Sequence, residues 1–154
     1  MRAAGCHAQH EPKVLAHAGD RGDVLIHFVD GSKIMVDVSV AHVACKTNAG
    51  KSVDDVLTAR ETLKYNKYAH KVPRDTSFCP FVFSSLGTIA PKADSLLRKL
   101  AQSAVENDFS IDSRLFYRHS LLRILFSLHR SNISQDEGVR NCRPVPRSQS
   151  VLRQ

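Results

Sequence analysis

The sequence predicts an α/β or α+β fold, in which a small mixed sheet with a central hairpin is flanked by helices. Two β-branched runs, residues 24–29 and 34–40, stand on either side of an Asp-Gly turn. Apolar residues then recur at helical spacing in residues 52–71, 91–104 and 112–129. A chain of 154 residues can bury one core of this kind, but it is too short for a polymerase, a kinase or a barrel enzyme.

The second run of the hairpin alternates between two faces. Ile34, Val36, Val38 and Val40 share one face, and Met35, Asp37 and Ser39 share the other. Asp37 therefore lies on a strand that is otherwise suited to burial. An acid in that position must face solvent, pair with a cation or bind a metal ion.

The length of the hairpin loop decides where Asp37 lies relative to Asp23. A two-residue loop of Asp30 and Gly31 would pair Asp37 with Val24 and turn it away from the face of Asp23. A three-residue loop would pair it with Leu25 and place both acids on one side.

A helix is predicted from Ser52, a capping residue, to about Lys71, before Pro73. Steps of 100° per residue place apolar and cationic side chains in one stripe. The members of this stripe are Val53, Val56, Leu57, Arg60, Leu63, Lys64, Lys67 and Tyr68. A short strand follows at 78–83, where Pro80 indicates an edge or a bulge, and Pro91 begins the next helix.

Three regions are expected along the chain: a leader or fragment edge at 1–20, one domain at 21–130, and a disordered basic tail at 131–154. The net charge of +7 favours a polyanionic partner, with nucleic acid as the first candidate. No apolar run has the length of a signal peptide or a membrane span, and the four cysteines form no Cys-x-x-Cys pair. We therefore expect an intracellular chain in a reducing compartment. Cys6, His7, His10 and His17 lack the spacing of four zinc ligands, so no zinc site is predicted.

Two acids and a lysine are placed to converge at one end of the sheet. Asp23 precedes the first strand, Asp37 lies in the second, and Lys64 is on the helix that follows. Carboxylates bind Mg²⁺, which activates water and neutralises phosphate, and an ammonium group stabilises the charge that develops on phosphorus. Each residue also has a structural explanation: Asp23 as a turn or cap, Asp37 and Lys64 as an ion pair, and Tyr68 as a core residue. For Arg60 and Lys67 the structural explanation is a side chain that extends from the edge of the stripe to solvent.

Four segments together resemble a known family. They are Arg21-Gly22-Asp23 before the hairpin, Asp37-Val38-Ser39-Val40 within it, Glu61-x-x-Lys64-x-x-Lys67-Tyr68, and Phe78-x-Pro80-Phe81-Val82-Phe83-Ser84-x-x-Gly87. Over about residues 20–101 the chain resembles the C-terminal restriction-like endonuclease region of non-LTR retrotransposon polyproteins. The resemblance implies a fold of the PD-(D/E)XK type. It also implies a domain that nicks target DNA for a reverse transcriptase encoded upstream.

The resemblance implies a role for each matching residue. Asp23 and Asp37 correspond to the metal-binding acids and the carbonyl of Val38 to an extra ligand. Lys64 corresponds to the catalytic lysine, with Lys67 as its competitor, and Tyr68 to a side chain that contacts substrate. Together with Tyr68, the stripe cations Arg60 and Lys67 are the candidates for contacts with nucleic acid. The implied cofactor is Mg²⁺ or Mn²⁺, with no small-molecule cofactor. The implied partners are DNA, RNA and the upstream reverse transcriptase, in the nucleus and away from membranes. Two positions depart from the pattern, because Gly22 replaces the motif proline and Ser39 occupies the place of the strand lysine.

The sequence-based function is therefore a metal-dependent, nicking DNA endonuclease module, expected to be a C-terminal fragment. The alternative is a nucleic-acid-binding or structural remnant that keeps the nuclease fold without turnover. A third class, a domain that binds only protein, would show no salt-sensitive affinity for DNA.

Overall fold

The computed structural model describes residues 5–12, 22–108 and 110–140. The elements in chain order are β1 (His7–His10), β2 (Val24–His27), β3 (Lys33–Ala41), α1 (Val53–Tyr68), β4 (Thr76–Ser84), α2 (Pro91–Asn107) and α3 (Ser113–Arg140). Short 3₁₀ turns occupy Lys46–Asn48 and Ala69–Lys71. No helix in the described part of the chain is long and apolar enough to cross a membrane.

The four strands form one mixed sheet in the order β1-β2-β3-β4. Strands β1, β2 and β3 pair antiparallel, whereas β4 pairs parallel to β3. Helix α1 lies in the crossover connection from β3 to β4. The predicted fold class, a small mixed sheet flanked by helices, is confirmed. Pro80 lies in β4, which is an edge strand of this sheet, as its missing amide hydrogen predicts.

The hairpin between β2 and β3 forms in a register that differs from both sequence-based alternatives. Val24 pairs with Val36, so Asp37 lies one position further on, opposite a bend in the chain at Asp23. The predicted pairings of Asp37 with Val24 or Leu25 are therefore wrong.

The turn explains the shift of register. The amide of Phe28 donates a 2.9 Å hydrogen bond to the carbonyl of Ser32, which leaves Val29, Asp30 and Gly31 as a three-residue loop. Gly31 has a φ of +82°, the left-handed conformation that such loops require. Asp30, the middle residue of the loop, stabilises the turn because its carboxylate accepts a 2.8 Å hydrogen bond from the Ser32 amide.

Both faces of the sheet are covered. The first core lies between the sheet and α2, and side chains of α3 pack against it. Its buried members are Cys6, Ile26, Phe28, Val36, Leu96, Leu97, Leu100 and Ala104. The second core involves α1 and contains Ala41, Val56, Leu57, Val82 and Ala90. Because successive side chains of β3 point to opposite faces, this strand contributes to both sides of the molecule.

Helix α1 begins where the sequence predicts. The Ser52 hydroxyl accepts a 3.1 Å hydrogen bond from the Asp55 amide, which caps the first turn. Leu57 is buried as expected, but Leu63 is 55 % exposed, so its placement on the buried stripe is wrong. The side of the helix that faces the sheet is centred closer to Leu57 and Glu61, and Leu63 falls outside it.

Regular structure extends further toward both ends of the chain than the sequence predicts. Within the supposed leader at 1–20, β1 pairs with β2 and Cys6 is buried in the first core. The prediction missed β1 because its four residues are mostly polar and acquire their order from pairing. At the other end α3 continues to Arg140, past the expected start of the tail at 131, in a stretch that contains no proline. Residues 1–4 and 13–20 of the predicted leader and 141–154 of the predicted tail lie outside the described residues, as does Arg21 at the start of the predicted domain.

Gly22, which replaces the motif proline, has no room for a side chain. A Cβ atom at this position would lie 2.1 Å from the sulfur of Met35, which is fully buried. We therefore expect Gly22→Ala to lower the free energy of unfolding by about 1–3 kcal/mol, since an added methyl group overpacks the site. Urea denaturation followed by circular dichroism measures this loss.

The matched background is Met35→Ala, which removes the obstructing side chain. Gly22→Ala should cost clearly less in that background, giving a coupling energy between the two positions. Equal costs in both backgrounds would contradict the steric explanation.

Candidate active site

An ion pair between β3 and α1 forms the centre of the candidate site. The ammonium nitrogen of Lys64 lies 2.7 Å from Oδ2 of Asp37, and the two side chains are 17 % and 9 % exposed. This Oδ2 atom is buried, and the Lys64 ammonium compensates its negative charge. The pairing of these two residues, which the sequence analysis left open, is present in the structure.

A second polar contact lies beside the ion pair. Nε of Arg60 donates a 3.0 Å hydrogen bond to the hydroxyl of Ser39. Asp37 and Ser39 are two residues apart on a strand, a distance of about 6.6 Å, and Arg60 and Lys64 are about one helical turn apart, roughly 6 Å. The two spacings match, so α1 runs antiparallel to β3 and presents both cations to the strand. Arg60 contacts Ser39, which stands where the family pattern has a strand lysine.

Asp23 lies at the bend before β2. Its own amide donates to the carbonyl of Val36 at 3.0 Å, and its Oδ2 accepts a 2.6 Å hydrogen bond from the amide of Val38. The carboxylate therefore satisfies the Val38 amide of β3, which lies just beyond the first residue of β2 and has no partner in that strand. This is a structural role of the kind expected for an aspartate before a strand. It also holds Asp23 against the residue that follows Asp37.

The donor set is chemically suited to Mg²⁺ or Mn²⁺. The carboxylates of Asp23 and Asp37 and the carbonyl of Val38 are hard oxygen ligands, and Mg²⁺ in proteins is commonly held by one or two carboxylates, with water and phosphate completing its coordination. The Oδ2 atom of Asp37 is buried against the Lys64 ammonium, so an ion bound by this carboxylate would share it with Lys64 or displace that contact. Over the described ranges no group of three or more His, Cys, Asp or Glu side chains forms a metal-binding arrangement.

The sequence analysis did not propose Glu61 as a site residue. Its side chain is buried, and its Oε1 accepts a 2.8 Å hydrogen bond from the amide of Lys92 in the first turn of α2. Ala90, the N-cap of α2, offers no side-chain acceptor, so Glu61 supplies the missing cap from another helix. An acid three residues before Lys64, inside an apolar and cationic stripe, was the signal that could have identified it.

Glu61 also affects a neighbouring thiol. Burial, together with the negative charge of Glu61, raises the pKa of Cys79 to about 11. Cys79 is therefore a protonated, weakly reactive thiol at neutral pH. It serves as a packing residue beside the first core.

The structure brings together two of the three residues expected to contact nucleic acid. The ammonium group of Lys67 lies 4.7 Å from the ring centre of Tyr68, at the end of α1. Arg60 is engaged with Ser39 on the strand instead. Tyr68 is partly buried against Phe78 and partly open to solvent, so both its core interpretation and its surface interpretation hold in part.

The residues considered for zinc have other environments. The sulfur of Cys6 is buried 3.6 Å from the hydroxyl of Ser103, and the ring of His7 packs edge-on against His27. His10 is an exposed residue of β1, and His17 lies outside the described residues.

No family model and no curated protein matches this chain. The resemblance to retrotransposon endonucleases therefore stays a prediction that rests on the residues quoted for it.

The ion pair gives a stability prediction. Lys64→Met leaves the Asp37 carboxylate buried without its cation, and we expect a loss of about 3 kcal/mol in the free energy of unfolding. Urea denaturation in the presence of EDTA measures it. The double variant Asp37→Asn/Lys64→Met should recover most of that loss because it removes the uncompensated charge.

The matched control is Lys51→Met, in an exposed position just before α1, which should change stability by less than about 0.5 kcal/mol. A Lys64→Met variant as stable as this control would show that the ion pair does not hold α1 to the sheet.

The cap supplied by Glu61 gives another prediction. Glu61→Ala removes the acceptor for the Lys92 amide and should cost about 2 kcal/mol. Glu61→Gln keeps an acceptor oxygen and should cost clearly less. Thermal or urea unfolding of both variants decides the matter, and equal losses would argue against the capping bond.

Proposed function

We propose that this chain is a metal-dependent endonuclease module that nicks DNA, as part of a retrotransposon-type polyprotein. The observation that supports the proposal is the contact between Asp37 and Lys64 on adjacent elements, with Asp23 fixed beside them by the Val38 amide. Two carboxylates and a lysine in this arrangement suit the hydrolysis of a phosphodiester.

Each residue has a definite task in this proposal. Asp23, Asp37 and the carbonyl of Val38 would hold the divalent ion. When bound, such an ion lowers the pKa of its water and neutralises phosphate charge. Lys64 directs its ammonium group to the scissile phosphate and stabilises the charge that develops there. Of the two candidate lysines, Lys64 is favoured because it contacts Asp37, whereas the Lys67 ammonium lies over the ring of Tyr68.

The charge of the chain is consistent with a nucleic-acid substrate. A net charge of +7 draws the domain toward the phosphate backbone, and this attraction weakens with salt. Target DNA places the proposed activity in the nucleus. RNA and an upstream reverse transcriptase are the further partners that the resemblance implies.

A second candidate function is a nucleic-acid-binding remnant that has lost turnover. Both acids are already engaged in this structure, Asp37 by Lys64 and Asp23 by the Val38 amide. If those contacts hold against a metal ion, the fold would bind DNA without cutting it.

A nicking assay separates these candidates. We expect the protein to convert supercoiled plasmid to open circles with Mg²⁺ or Mn²⁺ but not with EDTA. Asp37→Asn should abolish the conversion, and Lys64→Met should slow it by about 10²-fold or more, the usual effect of removing one charge-stabilising donor.

Lys51→Met, at an exposed position just before α1, should nick at the rate of the unmodified protein. Nicking that persists unchanged in Asp37→Asn would expose a contaminating nuclease. Salt-sensitive DNA binding without any nicking would favour the remnant.

A further inference from the structure

Beside the proposed active site, the end of α1 carries a cluster of ammonium groups around one aromatic ring. The nitrogens of Lys64, Lys67 and Lys71 lie 5.5, 4.7 and 5.6 Å from the centre of the Tyr68 ring. Each of them is close enough for a cation–π contact. Lys64 is shared with the ion pair, so the cluster adjoins the proposed site directly.

Two further rings and a fourth lysine extend this surface. Phe78 of β4 lies between the tyrosines, with ring centres 5.9 Å from Tyr68 and 6.3 Å from Tyr65. The ammonium nitrogen of Lys92, at the start of α2, lies 4.0 Å from the centre of Tyr65. We call this surface the ring patch: Tyr65, Tyr68, Phe78, Lys67, Lys71 and Lys92.

The ring patch and Lys64 bring four ammonium groups close to two tyrosine rings. Any two of the three ammonium groups around Tyr68 are separated by no more than about twice 5.6 Å, close to the Debye length of about 10 Å at 0.1 M salt. Among the described contacts, the Asp37 carboxylate meets Lys64, and the Glu61 carboxylate caps the Lys92 amide. Several cationic side chains beside aromatic rings form the kind of surface that binds an extended polyanion.

The aromatic rings identify the kind of polyanion. Tyr65 is 44 % exposed, so a planar group can reach its ring. The bases of duplex DNA are stacked on one another at about 3.4 Å and cannot reach a protein ring, whereas unpaired bases can stack on aromatic side chains. Tyr65 and Tyr68 each pack against Phe78 as tilted aromatic pairs, which holds both rings in place on this surface.

We propose that the ring patch binds unpaired nucleotides of a single nucleic-acid strand. The ammonium groups of Lys67, Lys71 and Lys92 leave the rings to meet phosphates, since their long side chains are flexible, and bases take their place on Tyr65 and Tyr68. A strand held in this way would run close to Lys64, which contacts both the ring of Tyr68 and the carboxylate of Asp37. Its role as a strand opened beside a nick rests on the proposed function, whereas binding of the strand does not.

The test measures binding in EDTA, where no nicking occurs. The probes are a labelled oligothymidine about 12 nucleotides long, an abasic oligomer of the same length and a matched duplex, followed by fluorescence anisotropy. The variants are Tyr65→Ala and Lys92→Gln. The matched control is Phe126→Ala, whose ring on α3 is 65 % exposed and distant in sequence from the ring patch.

We expect Tyr65→Ala to weaken oligothymidine binding at least about fivefold and to leave abasic binding unchanged, because only stacking is lost. Lys92→Gln should lower the dependence of binding on salt by about 0.7 in the log–log slope for both single strands. Phe126→Ala should bind all three probes as the unmodified protein does.

Equal losses of Tyr65→Ala on the oligothymidine and abasic probes, or no loss on either, would overturn the proposal. So would tighter binding of the duplex than of the oligothymidine. If the binding results are as expected but the protein does not nick plasmid, strand binding stands and only the endonuclease proposal is rejected. The two proposals can therefore fail separately.

Discussion

The contact between Asp37 and Lys64 constrains the arrangement of the whole domain. A carboxylate on a buried strand is costly unless a cation accompanies it, and the cation must come from the element that covers that face. Once Lys64 meets Asp37, the rotation of α1 about its axis is fixed. Arg60 then meets Ser39, and Glu61 is carried to the amide of Lys92, which ties α2 to α1.

Local signals in the sequence were sufficient to predict most of the elements. Ser52 as a cap, Pro91 at a helix start and the Asp-Gly turn each act within a few residues, and all three features are present. The register of the hairpin depends on where the three-residue loop closes, at the hydrogen bond from the Phe28 amide to the Ser32 carbonyl, which composition does not reveal. Strand β1 went unrecognised because a short polar segment owes its order to its partner strand, not to a pattern of its own.

The candidate site was predictable to the extent that periodicity determines it. The two-residue alternation of the strand and the 100° steps of the helix predict that Asp37 and Lys64 lie on facing surfaces. The position of Asp23 was not predictable in detail, because it depends on a bend that directs a carboxylate to the Val38 amide. The capping bond of Glu61 and the ring contacts of Tyr65 and Phe78 were not predicted, since they arise only where α1, β4 and α2 meet.

Three consecutive residues of strand β3 are buried, with Val36 in the first core and Met35 and Asp37 on the side of α1. A change of side-chain volume at any of them presses against a packed layer, whereas Val38, the next residue, is 47 % exposed. Divergence among descendants of this chain should therefore be slow along these positions. It should accumulate instead on the outer side of α3, where Leu115 already faces water.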